Sequence, residues 1–160
     1  MSVVDRMNQA LDEAGVKDAD KLKVLTLASI IQKEGGNEDD FYKVSRVFTN
    51  RIDAGMLLQS DATVRYGAGG DSIFTTAAER GDATNPYNTY VHPGLPVGPI
   101  AAPGDAAINA ALNPVDGPWI YFVLINGETG ETTFSTTLAE HNAAVKVWQA
   151  WLRAHPDFDN

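Results

Sequence analysis

Hydrophobic residues recur at helical spacing through the first third of the chain. The first set, closed by Gly15, predicts a helix over residues 3–14 with one apolar face. That face comprises Val3, Val4, Met7 and Leu11. A second helix is predicted from a cap at Asp18 or Asp20 to about Lys33. Its apolar residues surround most of the helix, which is typical of a helix at the centre of its domain.

A third helix and a long irregular segment are predicted next. The helix is expected to run from an N-cap at Asn37 to a stop at Gly55, with an apolar stripe along one face. The stripe comprises Phe41, Val44, Phe48 and Ile52. Residues 56–104 are rich in Gly, Pro, Asn, Asp and Thr and predict loops. So long a loop-rich segment inside a compact domain is usually functional.

The last third of the chain predicts a short helix, a hairpin and a closing helix. The short helix covers 105–112, and the apolar run at 119–125 reads as a strand. The sequence "NGETG" then predicts a turn before a returning strand at 131–135, and a final helix covers about 137–153. Helices, a loop-rich middle, a hairpin and a closing helix together predict an α+β class. With no repeats and no linker composition, residues 1–160 are expected to form one domain.

The charge and composition exclude several function classes. The formal net charge is −9, which argues against a nucleic-acid surface because phosphate binding needs clustered Lys and Arg. The chain has no cysteine, so disulfides, thiolate nucleophiles and cysteine-based metal sites are excluded. No apolar run approaches the roughly 20 residues that span a bilayer, so no membrane contact is expected of this domain itself.

Glu34 is the first candidate for chemistry, at the end of the central helix in "LASIIQKEGG" (27–36). On a helical wheel it lies on the same side as apolar residues of that helix. Desolvation raises the pKa of a carboxyl group in such surroundings, and a general acid needs a raised pKa near neutral pH. The alternative is a glutamate at a frayed helix end, exposed or paired with Lys33 or Arg46.

Asp61 and its neighbours form a second candidate group. The stretch 57–67, "LLQSDATVRYG", places Gln59, Asp61 and Tyr66 close together with other polar residues. Asp61 could be a second catalytic carboxylate, a helix N-cap or the first residue of an Asx-turn. The cap is favoured on local grounds, because Asp before Ala-Thr-Val is typical of a helix start.

The proline-rich loop at 85–104 carries four more candidates: Tyr87, Asn88, Thr89 and Tyr90. Aromatic rings can stack on sugar faces and amides can bridge hydroxyl or N-acetyl groups, so the loop could bind a carbohydrate. The alternative is a rigid structural loop whose tyrosines fill the core, and the residues alone leave both open.

The histidines do not predict a metal site. His92, His141 and His155 lack metal-ligand spacing, and a structural role is expected for His141 at the start of the last helix. No Ser-His-Asp pattern, phosphate-binding loop or dinucleotide fingerprint is present. No metal or other cofactor is therefore expected.

Five separated segments, in order, resemble the YceG-like family of endolytic murein transglycosylases. They are "LASIIQKEGG" (27–36), "KVSRVFTNRIDAGMLLQSDATVRYG" (43–67), "NPYNTYVHPGLPVGPIAAPGDAAINAALNP" (85–114), "YFV" (121–123) and "FSTTLAEHNAAV" (134–145). The resemblance covers roughly residues 22–150. It implies an enzyme that cleaves peptidoglycan between N-acetylmuramic acid and N-acetylglucosamine and leaves 1,6-anhydromuramoyl ends.

Two departures from the family pattern bear on the catalytic residue. The family motif usually has the form Glu-Lys-Glu, whereas this chain has Gln32-Lys33-Glu34, so the resemblance places the single acid at Glu34. The family often has Thr after that glutamate, and Gly35 stands here, which puts any role of that hydroxyl in doubt.

The resemblance also implies substrate-binding residues and a cellular setting. Gln59, Asp61, Tyr87 and Asn88 are expected to line the groove, with Tyr66, Thr89 and Tyr90 as second choices. Family members usually carry an N-terminal membrane helix and a LysM-like subdomain. Since neither is visible here, the chain is expected to be a soluble catalytic fragment of a protein on the extracytoplasmic face of the bacterial membrane. Glycan strands and, from the family alone, cell-wall synthesis proteins are the expected partners.

Two other functions stay open at this point. One is a lysozyme-like hydrolase that uses Glu34 with Asp61, since glycoside hydrolysis normally needs two carboxylates. The other is a glycan-binding module that does not cut its ligand.

Overall fold

The computed structural model describes residues 2–70, 72 and 74–158. Within these ranges it confirms the predicted α+β class, with seven α-helices and one two-stranded antiparallel sheet. The elements are α1 (Val3–Glu13), α2 (Asp18–Glu34), α3 (Phe41–Asp53), α4 (Asp61–Ala68), α5 (Ala77–Arg80), α6 (Asp105–Leu112), β1 (Tyr121–Leu124), β2 (Thr132–Ser135) and α7 (Leu138–Ala154).

Helix α2 occupies the centre of the molecule, as its all-round apolar surface predicted. It packs against α3, α4 and α6, and Ile30 and Ile31 are completely buried. Burial of each such side chain stabilises the fold by about 1.5–3 kcal/mol. Ser29 is also buried, and its hydroxyl accepts a hydrogen bond from the Ile100 N–H (3.0 Å). The proline-rich loop is thereby attached to the rigid central helix.

Helix starts are where the sequence predictions were wrong. Asn37 does not cap α3: it precedes one 3-10 turn (Glu38–Asp40), and its side chain donates to the Gly130 carbonyl instead. Lys17, and not Asp18 or Asp20, occupies the N-cap position of α2. The segment 56–104 is less irregular than predicted, because it contains α4 and α5. For Asn37, a tertiary contact with the hairpin turn takes the place of the cap.

The hairpin is attached to the helical core at both ends. Its strands pair with Phe122 opposite Phe134, and Phe122 meets Phe48 of α3 edge-on at 5.6 Å between ring centroids. Before β1, the Ile120 carbonyl accepts a hydrogen bond from Arg51 Nε (2.6 Å). At the turn, Gly130 lies against the loop after α2, where Asn37 Nδ2 donates to its carbonyl (3.3 Å). The hairpin is thus held beside the end of α2.

Helix α7 packs on both strands of the hairpin. It begins with a capping box in which Thr137 accepts from the Glu140 N–H and Glu140 bonds back to the Thr137 N–H. At its C-terminal end three rings stack in a row: Trp148 on Trp151 at 5.4 Å and Trp151 on the C-cap residue His155 at 3.9 Å between centroids. Across the described part of the chain, no helix has the length and apolar character needed to cross a membrane.

Candidate active site

A cleft of about 830 Å³ contains Glu34 and is lined by two contrasting groups of residues. The first group, here called the acid wall, comes from the end of α2, the start of α4 and the proline-rich loop: Glu34, Ser60, Asp61, Ala62 and Tyr90. The second, here called the hairpin wall, comes from the hairpin and α7: Phe122, Val123, Leu124, Thr132, His141, Val145 and Trp148. Buried side chains of α3 contribute to the same cavity between them.

The carboxyl group of Glu34 is held through one of its two oxygens. Oε1 accepts a 2.6 Å hydrogen bond from the Ser60 hydroxyl and a 3.1 Å hydrogen bond from the Ala62 N–H. The Ala62 N–H belongs to the first turn of α4, so the carboxyl lies at a helix N-terminus. Among the described residues, nothing donates to Oε2. The group is therefore fixed in orientation while one oxygen stays available for proton transfer.

Burial raises the pKa of Glu34 above its ordinary value. The hydrogen bonds from Ser60 and Ala62 act in the opposite direction because they favour the charged form, and the charge of Asp61 adds to the increase. Desolvation is the largest of these effects. Neither Lys33 nor Arg46 pairs with Glu34: Arg46 bonds to the Val115 carbonyl and Asn50. The alternative of a frayed or ion-paired helix end is therefore wrong.

The glycines after Glu34 allow the chain to leave α2 sharply. A Cβ on Gly35 would lie 2.4 Å from the Phe41 ring, and a Cβ on Gly36 would lie 2.9 Å from the Gly130 carbonyl. A larger residue at either position would displace α3 or the hairpin turn from the end of α2. Close packing, and not a left-handed backbone, thus requires the glycines here.

Asp61 is bonded within the acid wall and does not cap α4. Ser60 occupies the N-cap position and Asp61 is the first helical residue, so the predicted cap is wrong. Asp61 Oδ1 accepts hydrogen bonds from the Tyr90 hydroxyl (2.8 Å) and the Thr75 hydroxyl (2.9 Å). Burial and the charge of Asp61 raise the pKa of Tyr90, which keeps that hydroxyl a donor. Asp61 therefore lies beside Glu34 with one oxygen already occupied.

Thr89 and Gln59 shape the turn that presents Ser60. Thr89 is 1 % exposed; its hydroxyl accepts from the Ser60 N–H (2.9 Å), and its carbonyl accepts from the Gln59 N–H (3.2 Å). Gln59 has φ 53°, in the left-handed region that favours glycine, and its side chain is exposed in the cleft. Such strain outside glycine is often found at functional sites.

The other predicted sugar-binding residues divide between cleft and interior. Tyr66 is 51 % exposed and lines the cleft, and the Tyr87 ring meets it edge-on at 4.7 Å between centroids. Tyr87 itself is half-buried against the core and is not a cleft residue. Asn88 is completely buried, and its amide donates to three backbone carbonyls, those of Glu79, Arg80 and Asp82. Its contacts hold the loop together, and its contact with sugar stays a prediction.

Sequence reasoning did not propose several residues that the fold brings to the cleft. Ser60 could have been found from its position before a helix start. Arg51 and His141 have no comparable signal in the sequence. Arg51 is 7 % exposed and donates to two backbone carbonyls, while its guanidinium lies 5.2 Å from the Tyr121 ring centroid.

His141 also packs on the Tyr121 ring, with which it stacks at 4.9 Å between centroids. Burial and the nearby Arg51 charge lower the pKa of His141, which favours a neutral ring. Its buried Nδ1 has no hydrogen-bond partner among the described residues. The same part of the chain holds no group of three or more His, Cys, Asp or Glu side chains that could bind a metal ion.

Comparison with known proteins identifies the family. The sequence profile described as the YceG-like family matches residues 1–147, which is most of the chain. The chain belongs to the YceG-like family. A crystal structure of a yceG-like protein from Listeria monocytogenes superposes with a TM-score of 0.76 at 38 % identity, covering 88 % of this chain and 44 % of that one.

Two bacterial relatives of this YceG-like chain carry a functional name. The chain is 41 % identical over 124 residues to a Bacillus subtilis protein named endolytic murein transglycosylase, covering 76 % of this chain and 33 % of that protein. It is 29 % identical over 156 residues to a Streptococcus pneumoniae protein of the same name, covering 90 % and 28 %. The chain thus spans about a third of the length of these relatives.

In this YceG-like chain, the glutamine of Gln32-Lys33-Glu34 points away from the cleft. Gln32 Oε1 accepts a 2.9 Å hydrogen bond from the N–H of Gly104, the N-cap residue of α6. Positions two apart on a helix lie about 200° apart around its axis, so Gln32 and Glu34 serve different neighbours. Among the described residues, Gln32 therefore forms no hydrogen bond with Glu34.

Proposed function

We propose that this chain is the catalytic domain, residues 1–160, of an endolytic peptidoglycan lytic transglycosylase. The names of the Bacillus and Streptococcus relatives support the reaction class. The observation that carries the proposal is Glu34 itself: a desolvated carboxyl with a raised pKa, held through Oε1 in a cleft of about 830 Å³, with no described residue donating to Oε2. A transglycosylase of this kind needs one carboxyl group that first gives and then takes a proton.

In the first step, protonated Glu34 acts as general acid. It donates its proton to the oxygen that links muramic acid C1 to the next sugar, and the C1–O bond breaks as that sugar leaves. The raised pKa keeps the carboxyl protonated at a pH where an ordinary glutamate is charged. The leaving sugar retains the transferred proton as its hydroxyl.

In the second step, the same carboxylate acts as general base. It takes the proton of the muramoyl C6 hydroxyl, whose oxygen then bonds to C1 and closes a 1,6-anhydro ring. Glu34 regains its proton and no water is consumed. The Ser60 hydroxyl and the Ala62 N–H stabilise the carboxylate between the steps, because both donate to Oε1.

Other residues that line the cleft would hold the sugars. We assign substrate contact to Gln59, Tyr66 and Tyr90, all of which line the cleft. Asp61 lies close enough to affect the pKa of Glu34, and its charge would favour the positive character that develops at C1 when the bond breaks. Thr89, Tyr87 and Asn88 would act indirectly, by shaping the proline-rich loop.

Replacement of the acid tests the mechanism directly. Glu34→Gln keeps the shape of the side chain and removes the transferable proton, so cleavage of peptidoglycan glycan strands should fall about 10²–10⁴-fold. The matched control is Glu38→Gln, which alters an exposed glutamate of the 3-10 turn and should leave the rate unchanged. Cleavage at the parental rate by the Glu34 variant would refute the mechanism.

A hydrolase is the second candidate, because Asp61 supplies a second carboxylate in the same cleft. Mass spectrometry of the products separates the two reactions. Anhydromuramoyl ends, lighter by one water than reducing ends, support transglycosylation; reducing ends that carry ¹⁸O from labelled water support hydrolysis. If the parental chain binds glycan and cuts none, the chain is a binding module.

We also propose a setting for the reaction, from the relatives' names together with the family resemblance of the sequence. The substrate would be peptidoglycan on the outer side of the bacterial cytoplasmic membrane, where proteins of cell-wall synthesis would be neighbours. Digestion of purified peptidoglycan by residues 1–160 alone would show whether this portion suffices. Failure of the folded domain to cut would mean that residues 1–160 do not carry the activity by themselves.

A further inference from the structure

The guanidinium of Arg51 is a nearly buried charge in the cleft with no carboxylate to balance it. Arg51 is 7 % exposed and lines the cleft, and none of the ion pairs among the described residues includes it. Burial lowers its pKa, because the charged form loses water. Buried charges are normally paired with an opposite charge. The missing counter-charge therefore needs an explanation.

One end of this guanidinium has no acceptor. Nε donates to the Ile120 carbonyl (2.6 Å) and Nη1 donates to the Leu57 carbonyl (2.8 Å). A guanidinium also carries two N–H donors on Nη2 and a second one on Nη1. No described residue accepts from Nη2, and Nη2 is not one of the fully enclosed polar atoms that lack a partner. Its donors are therefore accessible from the cleft that Arg51 lines.

Arg46, on the same helix, shows how an arginine that only holds backbone is arranged here. It donates to the Val115 carbonyl (2.6 Å) and the Pro114 carbonyl (3.5 Å), and the Asp116 carboxylate lies 3.9 Å from its Nη2. Arg46 does not line the cleft. Both arginines tie α3 to later backbone, but only Arg51 keeps an unused end towards a cavity.

The side chains that line the cleft are also more positive than the chain as a whole. The chain has 12 Lys and Arg residues against 21 Asp and Glu residues. The cleft has Lys33, Arg51 and Arg65 against Glu34 and Asp61. Arg65 is neutralised by an ion pair, and burial favours the neutral form of Glu34. The remaining charge in the cleft favours an anionic ligand.

We propose that Arg51 binds a carboxylate carried by the muramic acid side of a glycan strand. The sugar hydroxyls and acetamido groups of peptidoglycan are neutral, and its acid groups belong to the lactyl group of muramic acid or to the peptide attached there. Nη2 and the second N–H of Nη1 would donate to the two carboxylate oxygens, in the paired geometry that a guanidinium presents. This inference rests on the proposed function, since it takes the ligand to be peptidoglycan.

Two pairs of probes isolate the carboxylate. All four are built on the disaccharide N-acetylglucosaminyl-β-1,4-N-acetylmuramic acid, which lacks the bond that the proposed reaction breaks. The first pair has the lactyl group as free acid or as its N-methylamide. The second pair carries alanyl-glutamate on the lactyl group, as free acid or with both carboxylates converted to N-methylamides. Binding to the unaltered chain and its variants is measured by NMR titration at constant ionic strength.

The measured quantity is the ratio of the affinity for an acid probe to the affinity for its amide. In the parental chain, one pair should show a ratio of about ten, because a charged hydrogen-bonded pair is lost on amidation. The pair that responds identifies the source of the carboxylate. Arg51→Gln should bring the ratio to within about twofold of one. Arg46→Gln, which also loses bonds to backbone carbonyls, and Lys33→Gln, which also loses a cleft cation, should keep it.

Three results would overturn the proposal. A ratio near one for both pairs in the parental chain would mean that no carboxylate is recognised. An equal loss of affinity for acid and amide in Arg51→Gln, with the ratio kept, would mean that Arg51 only holds backbone. Loss of the ratio in Lys33→Gln, with Arg51 in place, would assign the contact to Lys33.

A measurement on the native side chain serves if Arg51→Gln does not fold. In the ¹⁵N-arginine-labelled parental chain, the Arg51 signals, assigned through their proximity to the Tyr121 ring, should shift with the acid probe and stay in place with the amide. Equal signals with both would refute the contact. Because the probes are not cut, a high ratio without anhydro products from peptidoglycan would refute the proposed reaction alone. Anhydro products with a ratio near one would refute the Arg51 contact alone.

Discussion

The two walls of the cleft differ in how their groups are held. On the acid wall, the polar atoms of Glu34, Asp61 and Tyr90 form hydrogen bonds of 2.6–3.1 Å to one another or to near neighbours. On the hairpin wall, most of the side chains that line the cleft are apolar or aromatic. Proton transfer needs one fixed carboxyl, whereas a sugar chain needs a long surface to lie on.

The electrostatics of the acid wall follow from two opposing effects on one carboxyl group. Burial between α2 and α4 disfavours the charged form of Glu34, and the donors Ser60 and Ala62 favour it. Because burial is the larger effect, the acid form persists to higher pH than in an ordinary glutamate, and the donors still stabilise the base form. A fully buried carboxyl without donors would be a good acid and a poor base.

Loss of the Ser60 hydroxyl should have the largest effect among changes that leave Glu34 in place. Ser60→Ala removes a 2.6 Å hydrogen bond to the carboxylate form, so the base step should slow by about 10- to 100-fold. The same change raises the pKa of Glu34, since the lost bond favoured the charged form. The alkaline limb of the pH–rate profile should therefore move to higher pH.

Ser45→Ala is the control for this change. Ser45 is also buried, and its hydroxyl has no partner among the described residues. Its removal should leave both rate and pH profile unchanged and should not lower the free energy of unfolding. If the two variants have the same pH profile, the hydrogen bond from Ser60 to Glu34 has no catalytic role.

Truncation of the hairpin wall should affect substrate binding and spare the chemistry. Trp148 lines the cleft and its ring is held by stacking on Trp151, so Trp148→Ala should raise KM about three- to tenfold with an unchanged pH profile. The matched control is Trp151→Ala, which removes the neighbouring ring of the same stack outside this cleft. An equal rise of KM in both variants would mean that the stack acts through stability alone.

The stability of Glu34→Gln should depend on pH in a defined direction. The pKa of Glu34 in the folded state lies above its ordinary value of 4.5, so the folded state binds the proton more firmly than the unfolded state. Parental stability should therefore fall as pH rises from the ordinary value towards the raised pKa, and then level off. Urea unfolding should show that the free energy of unfolding of the variant, relative to that of the parent, is higher at pH 8 than at pH 4. A pH-independent difference would contradict the desolvation of Glu34.

The smallest effect is expected at Gln59. Its φ of 53° costs about 1–2 kcal/mol in a residue with a Cβ, and glycine avoids that cost. Gln59→Gly should therefore be at least as stable as Gln59→Ala, in reverse of the usual order, and both should lose any affinity that depends on the amide. Chemical unfolding of the two variants measures the effect on stability, and glycan binding measures the effect on affinity. A glycine variant less stable than the alanine variant would contradict backbone strain at Gln59.

The position of Glu34 at the end of a central helix could be predicted because its evidence is local. Helical spacing placed it on the same side as buried residues of α2, and Gly35 and Gly36 marked the point where the chain turns away. The loop at 85–104 shows the limit of the same reasoning. Polar residues crowd that loop, but only the fold shows that Asn88 and Thr89 satisfy buried backbone groups while Tyr90 reaches the cleft. Spacing cannot assign an amide to sugar or to backbone, because both bond to it alike.

The sequence by itself determined the central helix, the glutamate at its end, the hairpin, the closing helix and the family. These depend on periodicity, turn residues and ordered motifs, which act over short stretches of chain. Only the tertiary structure decided that Ser60 bonds to Glu34, that Asp61 is bonded to Tyr90, and that Trp148 reaches the cleft. These contacts join residues 26, 29 and more positions apart, and packing of whole elements, not local preference, brings such groups together.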